Sequence, residues 1–351
     1  MSSDTVATGV VGLGGMGTNH AQWLREAGAE VVAGADVVPE ARERFAETFD
    51  RPACEDHEQL YDEFDLDAVV VTTPNRFHAP AATAALERDI HVLCEKPLAH
   101  TLDAAERIAT AAEGSDAFCM VGFHNRFTPG AQLFKTGQSA GVFGDISHVE
   151  ANFVRRRGIP TPGSWFTDKS LSGGGALIDV GVHVLDYVLY LLDFPDPVDV
   201  SAAVRSQFGH RADYADPEGW ADNWNDASGT FDVDDSVSAF VEFANGSTLS
   251  LEVAWATNRR PDHSVRVRGT EAGAELEVGG DEFRILGTET EPFDRYTEID
   301  SEGAMDPTGH PAQDTAFVEA VAADEPPETN TVQQGLAVQR LIHAIYEAAD
   351  S

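Results

Sequence analysis

The stretch that decides the fold is Gly12-Leu13-Gly14-Gly15-Met16-Gly17, a G-x-G-x-x-G motif between a predicted strand (residues 6–13) and a predicted helix (residues 19–27). The first glycine permits a tight turn, and the second lets the backbone approach a pyrophosphate. The third lets the helix pack closely on the strand. The motif therefore predicts a dinucleotide-binding loop whose cofactor contacts are Gly12, Gly14, Gly15, Met16 and Gly17.

Asp36 follows the second predicted strand (residues 30–35), 19 residues after Gly17. The glycine motif alone would also fit an ordinary turn, but a carboxylate here can bind the adenosine ribose hydroxyls. A 2′-phosphate at about 4 Å would be repelled by about 4 kcal/mol per unit charge at an effective dielectric of about 20. No arginine occurs in the next residues, Val37-Val38-Pro39. The sequence therefore predicts NAD rather than NADP as the cofactor.

Residues 1–125 alternate short apolar runs with amphipathic stretches. Further strands are predicted at 68–72, 90–94 and 117–122, and further helices at 39–49, 79–88 and 102–113. This alternation is typical of a doubly wound parallel sheet. We therefore expect an N-terminal, NAD-binding Rossmann domain over residues 1–125.

Residues 126–351 have a different pattern, which predicts a substrate-binding and oligomerisation domain of the α+β class. Strands are predicted at 146–156, 237–243, 248–254 and 264–268, and helices near 130–137, 176–192, 311–323 and 331–349. The strands predict an open, mainly antiparallel sheet. Residues 210–235 are polar and rich in aspartate, and are predicted to form a solvated loop.

Glu95-Lys96-Pro97 follows the predicted buried strand at 90–94, in a chain with only three lysines. Ligands of parallel sheets bind beyond the carboxyl ends of the strands. Lys96 would therefore face cofactor or substrate, and we also predict Glu95 as a cofactor contact. A surface ion pair between Lys96 and Glu95 is the alternative, and position alone does not decide between the two.

The predicted strand at 68–72 runs into a polar turn, with His78 just beyond it. Thr72, Pro74, Asn75 and His78 are predicted to line the cofactor cleft beside the glycine loop. The alternative is a simple helix start, capped by Asn75, in which His78 has only a structural role.

The helix predicted at 176–192 is preceded and opened by Gly173-Gly174-Gly175-Ala176-Leu177-Ile178-Asp179-Val180-Gly181-Val182-His183. Asp179 and His183 are four residues apart and would share one helix face. Each is polar in an otherwise apolar helix, where burial requires a partner. His183 could be a base that titrates near neutral pH, with Asp179 orienting it or the substrate. The alternatives are a surface pair, a core hydrogen bond or a metal pair, and we expect no metal because no further ligands are nearby.

The nucleotide loop, the Glu-Lys-Pro motif and the glycine-rich segment with its Asp and His occur in the order and spacing of the Gfo/Idh/MocA oxidoreductases, which the chain resembles over almost its whole length. The resemblance implies a catalytic set of Lys96, Asp179 and His183. It also implies an NAD-dependent dehydrogenase acting on a secondary hydroxyl of a sugar, glycoside or cyclitol, and a homodimer or homotetramer formed through the open sheet face. The alternatives are a redox-neutral NAD-dependent glycosidase of the same fold and a non-enzymatic NAD-binding regulator.

Further substrate contacts are predicted from single residues. Trp165 could pack on a sugar face or anchor its loop, and Arg126 follows the last Rossmann strand, close to the domain boundary. In Arg155-Arg156-Arg157, strand alternation sends neighbours to opposite faces, so we expect two of the three to be surface residues. The G-x-S-x-G at 137–141 lies between a helix and a strand and is interpreted as a turn.

The composition restricts the partners and the compartment. Acidic residues number 60 against 23 basic ones, which gives a net charge of −37 and argues against nucleic acid or an anionic membrane as partner. Spread acidity with scarce lysine is typical of cytosolic proteins of salt-accumulating halophiles, although an ordinary acidic protein is the alternative. Three cysteines without paired spacing, and the lack of a signal sequence or apolar span, predict a soluble cytoplasmic protein.

Overall fold

The computed structural model describes residues 5–217, 219, 224, 229–302 and 308–350. The chain divides into two compact units. The first comprises Met1–His124 and Pro307–Gln339, and the second comprises Asn125–Asp306 and Arg340–Ser351. The predicted division into 1–125 and 126–351 therefore needs one correction, because a C-terminal segment returns to the first unit.

The first part of the chain, up to residue 124, alternates strands and helices. The elements are β1 Ala7–Val11, α1 Gly15–Glu26, β2 Glu30–Ala35, α2 Pro39–Phe49, β3 Ala53–Cys54, α3 His57–Glu63, β4 Ala68–Val71, α4 His78–Leu86, β5 His91–Cys94, α5 Leu102–Glu113 and β6 Cys119–Val121. The strands form one parallel sheet in the order β3-β2-β1-β4-β5-β6. The predicted doubly wound parallel sheet is confirmed. The sequence reading missed β3 and α3, which are too short to produce a clear hydrophobic period.

The remaining elements contain a second sheet. They are α6 Pro129–Ser139, β7 Ile146–Val154, α7 Lys169–Ser172, α8 Val182–Leu191, β8 Pro197–Arg205, β9 Ser236–Phe243, β10 Thr248–Ala254, β11 Ser264–Gly269, β12 Gly273–Glu277, β13 Glu282–Glu289, β14 Arg295–Glu302, α9 His310–Ala323 and α10 Val332–Asp350. The strand order is β14-β13-β12-β11-β7-β10-β9-β8, in which only β7 and β10 run parallel among the described strands. The predicted α+β class, with a mainly antiparallel sheet, is confirmed.

The returning segment is built into the first unit by specific contacts. The side-chain amide of Asn330 donates to the carbonyl oxygens of Val121, at 2.9 Å, and Phe123, at 3.2 Å. Gly335 lies so close to β6 that a Cβ there would be 2.7 Å from a methyl of Val121. On α9, Asp314 is fully buried and bonds to His20 of α1. No local sequence signal indicates which sheet a distant helix joins, which is why the predicted boundary missed this segment.

One face of the second sheet is buried and the other is open. Along β9, the buried residues Val237, Ala239, Val241 and Phe243 alternate with accessible ones, as expected for a sheet with one solvated face. The open face of β7 and β11 to β14 carries a ladder of Arg–carboxylate pairs. The ladder consists of Arg266 with Glu150 and Glu275, Arg268 with Glu150, and Arg284 with Glu275 and Asp300.

The glycine-rich segment continues into a helix that is mostly buried. We predicted one continuous helix at 176–192, but the structure has a π-helical turn, Leu177–Gly181, followed by α8. Gly181 allows the side chain of Val253 to approach closely, since a Cβ there would lie 3.2 Å from it. Within the described residues, Lys169–Leu191 is long and apolar enough to cross a membrane by length and composition, but 83% of its most apolar window is buried, as in a core helix.

Candidate functional site

The glycine loop of the first unit is shaped by close contacts on one side only. Gly12 has a φ of +93°, and a Cβ there would lie 2.9 Å from the Thr72 backbone. A Cβ on Gly17 would lie 1.9 Å from the carbonyl oxygen of Gly12. By contrast, a Cβ on Gly14 or Gly15 would meet nothing within 4 Å. The middle of the loop therefore faces open space, where a phosphate group can approach the backbone.

Helix α1 begins in this open space without a side-chain cap at its N-terminus. Its N-cap, Gly14, has no side chain, and the first turn contains no acidic residue. The first N–H groups of a helix lack intrahelical partners and carry a partial positive charge. The residues present therefore fit the pyrophosphate of a dinucleotide.

Asp36 is fixed at the end of β2 by two backbone donors. Its Oδ2 accepts from the N–H of Leu13 at 2.7 Å, and its Oδ1 accepts from the N–H of Val38 at 2.8 Å. Each oxygen keeps acceptor capacity for a ribose hydroxyl. The sequence reading missed Arg42, whose Nη1 donates to the Asp36 carbonyl oxygen at 2.7 Å. It lies six residues after Asp36, within α2 and beyond the Val37-Val38-Pro39 stretch that directly follows Asp36.

Exposed apolar side chains surround the carboxyl edge of the parallel sheet. Met16 follows β1, Val37 and Val38 follow β2, and Phe77 follows β4. These strands are neighbours in the sheet. Large exposed apolar side chains at a site edge are suited to flat rings such as adenine and nicotinamide. Of this group, only Met16 was predicted.

Two of the predicted cofactor contacts hold loops in place. Thr72 Oγ1 donates to the carbonyl oxygen of Gly12 at 2.7 Å. His78 is buried at the start of α4, with Nδ1 2.9 Å from the Pro97 carbonyl oxygen and Nε2 2.8 Å from that of Thr73. Burial lowers the pKa of His78. The structural alternative is therefore the one that the structure shows for His78, whereas cofactor contacts by Pro74 and Asn75, in the same turn, stay predictions.

Glu95 and Lys96 lie at the end of β5, Glu95 buried and Lys96 half-buried. Glu95 Oε2 accepts from the Lys96 backbone N–H at 3.0 Å, and Oε1 lies 3.0 Å from His20 Nε2. Burial alone would raise the pKa of Glu95, but His20 and Lys96 lower it to about 2. Both carboxylate oxygens are thus engaged within the unit, and a cofactor contact by Glu95 stays a prediction.

The second unit presents two polar side chains on its core helix. Between Gly174 and Leu189, all of which the structure describes, only Asp179 and His183 are not buried. Asp179 Oδ2 accepts from Trp255 Nε1 at 2.9 Å, and His183 Nδ1 lies 3.4 Å from Asn125 Nδ2. A π-helical turn, which is frequent at functional sites, contains Asp179 and immediately precedes α8 with His183.

An aromatic and cationic group surrounds this pair. The ring of Phe153 stacks on His263, with centroids 4.3 Å apart, and lies 6.3 Å from His183. The Arg155 guanidinium carbon is 5.7 Å from the centre of the Phe153 ring. Burial lowers the pKa of Arg155, and the charge of Asp179 opposes this shift. Asn125 and Arg155, which lie beside this pair, were not among the predicted site residues.

The other arginines of the basic run lie elsewhere. Arg157 donates to the carbonyl oxygens of Ala215, at 2.8 Å, and Thr257, at 3.0 Å, so it braces loops. Arg156 is exposed. The expectation that two of the three arginines lie outside the site agrees with these positions.

The glycine run is required by Asp234, which the sequence reading also missed. The Asp234 carboxylate accepts from the backbone N–H groups of Gly175, at 2.8 Å, and Leu177, at 2.9 Å, and from the hydroxyl of Tyr346 at 2.7 Å. A Cβ on Gly175 would lie 1.8 Å from the Asp234 carbonyl oxygen. Asp234 therefore anchors the start of the segment that carries Asp179.

Two predicted substrate contacts have other surroundings. Arg126 is fully buried, its Nε donates to Asp186 Oδ2 at 3.1 Å, and its guanidinium lies between the rings of Tyr190 and Phe194. It is a structural ion pair rather than a substrate contact, because the turn at His124–Phe127 points its side chain into the core. Trp165 is half-buried and stacks on Phe166 at 3.8 Å, so its contact with a sugar stays a prediction.

Comparisons with known proteins identify relatives for both parts of the chain. Residues 6–123 match a family described as an oxidoreductase family with an NAD-binding Rossmann fold, and residues 135–275 match the GFO/IDH/MocA C-terminal domain. D-glucoside 3-dehydrogenase of Escherichia coli is 32% identical over 81% of this chain and 78% of its own length. D-xylose 1-dehydrogenase [NADP(+)] of Haloarcula marismortui is 30% identical over 62% of each chain. The structure of a levoglucosan dehydrogenase in complex with NADH matches with a TM-score of 0.85 over 99% of this chain and 97% of that one. At 24% identity it bears on the fold alone.

Proposed function

The chain belongs to the Gfo/Idh/MocA family of oxidoreductases, and on this basis we propose that it is an NAD-dependent dehydrogenase oxidising a secondary hydroxyl of a sugar, glycoside or cyclitol. The observation that carries the proposal is the accessibility of Asp179 and His183 on a helix whose other residues from Gly174 to Leu189 are buried. The relatives named as D-glucoside and D-xylose dehydrogenases support the substrate class.

The cofactor site is assigned to the first unit. Its phosphates would lie at the glycine loop and the start of α1, and its adenosine ribose at Asp36. When bound, NAD supplies the hydride acceptor.

We propose that the chain's own residues handle the proton and the charge. His183 accepts the hydroxyl proton as general base, and Asn125 fixes which ring nitrogen is available for it. The ammonium of Lys96 holds the hydroxyl and stabilises the negative charge that develops on its oxygen. Asp179, oriented by Trp255, accepts a second substrate hydroxyl or holds the imidazole. This assigns one reaction to the three residues implied by the family resemblance.

A panel of sugars, glycosides and cyclitols assayed for NADH formation in high salt tests the proposal. We expect turnover with a neutral monosaccharide, glycoside or inositol, because Phe153 and Arg155 beside His183 offer a flat ring and hydrogen-bond donors. Release of sugar from an aryl glycoside without net NADH would favour the redox-neutral glycosidase. NAD binding without any turnover, together with specific capture of a protein partner that survives Lys96→Ala, would favour the regulator.

The cofactor preference is tested by Asp36→Ser. Removing the carboxylate removes both the ribose acceptor and the repulsion of a 2′-phosphate, and Arg42 is left nearby as a cation. We expect the ratio of kcat/KM for NAD to that for NADP to fall about 100-fold, equivalent to about 2.7 kcal/mol. The control is Asp36→Ser combined with Arg42→Ala. Because it lacks the nearby cation, it should gain little NADP activity. A ratio that Asp36→Ser leaves unchanged would contradict the role of Asp36.

We further infer a homo-oligomer in the cytoplasm of a salt-accumulating cell. The open face of the second sheet, with its Arg–carboxylate ladder and the exposed Phe240, supports self-association. The net charge of −37 and the haloarchaeal source of two relatives support the saline cytoplasm. Light scattering in molar salt that detected only monomer would contradict the oligomer.

A further inference from the structure

Helix α1 carries a buried histidine one turn after the glycine loop. His20 is a polar residue, yet it is 0% exposed and lies on the buried side of the helix with Gly17, Ala21 and Leu24. Its Nδ1 is 2.7 Å from Asp314 Oδ2, and its Nε2 is 3.0 Å from Glu95 Oε1. Both ring nitrogens thus face carboxylate oxygens, and only the protonated ring can donate to both.

The three side chains of this network come from three elements of the first unit. His20 belongs to α1, Glu95 follows β5, and Asp314 lies on α9 of the returning segment. Gly122, after β6, leaves room for the network, since a Cβ there would lie 3.0 Å from Glu95 Oε1. The other oxygen of Glu95 accepts from the backbone N–H of Lys96. A continuous chain of hydrogen bonds therefore runs from Asp314 to the backbone of Lys96.

We propose that His20 and Asp314 are positioning residues that hold Glu95, and through it the backbone of Lys96, against the helix that carries the dinucleotide loop. The role assigned to Lys96 rests on the proposed function. A displacement of about 1 Å at a reacting group can cost about 100-fold in rate. His20 and Asp314, both fully buried, would therefore act on turnover without touching substrate or cofactor.

The charges around His20 define its pH range. Burial alone would lower the pKa of His20, but Asp314 and Glu95 raise it to about 10. Two further titratable groups interact with it: the ring of His310, whose centroid lies 6.1 Å from that of His20, and His124. Burial lowers the pKa of His124 to about 3 and that of His310 to about 4, so both histidines are neutral at neutral pH.

The sign of the pH dependence follows from these shifts. Because the pKa of His20 is raised, its contribution is complete below about 6.5 and is lost as pH rises through about 10. The pKa of Glu95 is lowered, so its contribution is present above about 4.5 and is lost as pH falls through about 2. In the wild type, His20 and Glu95 keep their charges across the usual assay range. Burial raises the pKa of Asp314, and the hydrogen bond from His20 opposes this shift.

His20→Gln and Asp314→Asn test the positioning role. The matched controls in the same unit are His57→Gln, at a half-buried position, and Asp103→Asn, at an exposed one. We expect either network variant to lower kcat by about 10- to 100-fold, with the Kd for NAD changed by less than about threefold. In Asp314→Asn, one of the two carboxylates that offset the burial of His20 is lost, so the pKa of His20 should fall. This variant should therefore show a new decline of kcat as pH rises toward 9, which the wild type and His20→Gln lack.

Unchanged kcat and pH profiles in both variants, with only a lower Tm, would show that the network merely braces the fold and would overturn the proposal. A measurement on the wild type does not depend on turnover or on the folding of variants. In histidine-selective ¹⁵N NMR, both ring nitrogens of His20 should be protonated at pH 7, and a neutral ring would also overturn the proposal. If the sugar panel fails, the NMR result and NAD binding still distinguish this inference from failure of the proposed function.

Discussion

Replacing His183 by alanine is expected to lower kcat by about 10²–10⁴-fold, the usual contribution of a positioned general base. His183 is half-buried and bonded through Nδ1 to Asn125, so its ring has a fixed orientation and an accessible edge. Lys96→Ala should have an effect of similar size, because the charge on the substrate oxygen would lose its ammonium partner. Steady-state kinetics measure the loss of kcat, and calorimetric titration measures the affinity for NAD separately.

The affinity for NAD should change little in both variants, because the glycine loop and Asp36 are untouched. His343→Ala is the matched control, since His343 is exposed on α10 and pairs with Glu347. Full turnover in both His183→Ala and Lys96→Ala would place the chemistry elsewhere. A loss of NAD binding as large as the loss of kcat would show that Lys96 acts through the cofactor site instead.

The second large effect is that of salt. A net charge of −37 repels itself in the compact state, and salt screens this repulsion. The Debye length is about 10 Å at 0.1 M and about 3 Å at 1 M. We expect the Tm to rise by roughly 10 °C or more from 0.1 M to multimolar KCl, since about 1 kcal/mol corresponds to about 2–4 °C in domains of 150–250 residues. Activity should rise over the same range. Calorimetry measures the Tm, and steady-state kinetics measure the activity.

A charge-reduced variant separates screening from other effects of salt. Glu43, Glu47 and Glu106 are exposed on helices α2 and α5, and changing all three to glutamine removes three negative charges. This variant should melt higher than the wild type at 0.1 M salt and at nearly the same temperature in molar salt. A Tm that is flat across the salt range would remove the support for a halophilic origin.

The sequence predicted the fold class and the glycine loop because both depend on local pattern. The alternation of strands and helices can be recognised from the hydrophobic period and the length of each segment. The G-x-G-x-x-G motif lies within a single turn. Asp179 and His183 were found by a similar local rule, since each is a polar residue in an apolar helix. The same rule could have found His20 and Asp314. His20 shares the buried side of α1 with Leu24, and Asp314 shares that of α9 with Phe317.

Other parts of the candidate site depend on contacts between distant segments, which one sequence does not specify. Asn125 and Arg126 are adjacent, yet one contacts His183 and the other pairs with Asp186 in the core. Only the conformation of the turn at His124–Phe127 decides which of these two side chains contacts His183 and which pairs with Asp186. The prediction chose Arg126 for its charge and was wrong. Asp234 reaches the glycine run across about sixty residues of sequence, and no spacing rule covers such a distance.

The return of Pro307–Gln339 to the first unit has a consequence for biosynthesis. A ribosome that has synthesised residues 1–124 has produced all six strands of the parallel sheet, but His20 and Glu95 still lack Asp314, and β6 still lacks Asn330. The first unit is completed only after its returning segment, which runs to Gln339, has emerged. Unlike a contiguous N-terminal domain, which can fold as soon as it has been synthesised, this nucleotide-binding unit reaches its final structure only once the segment up to Gln339 is available to it.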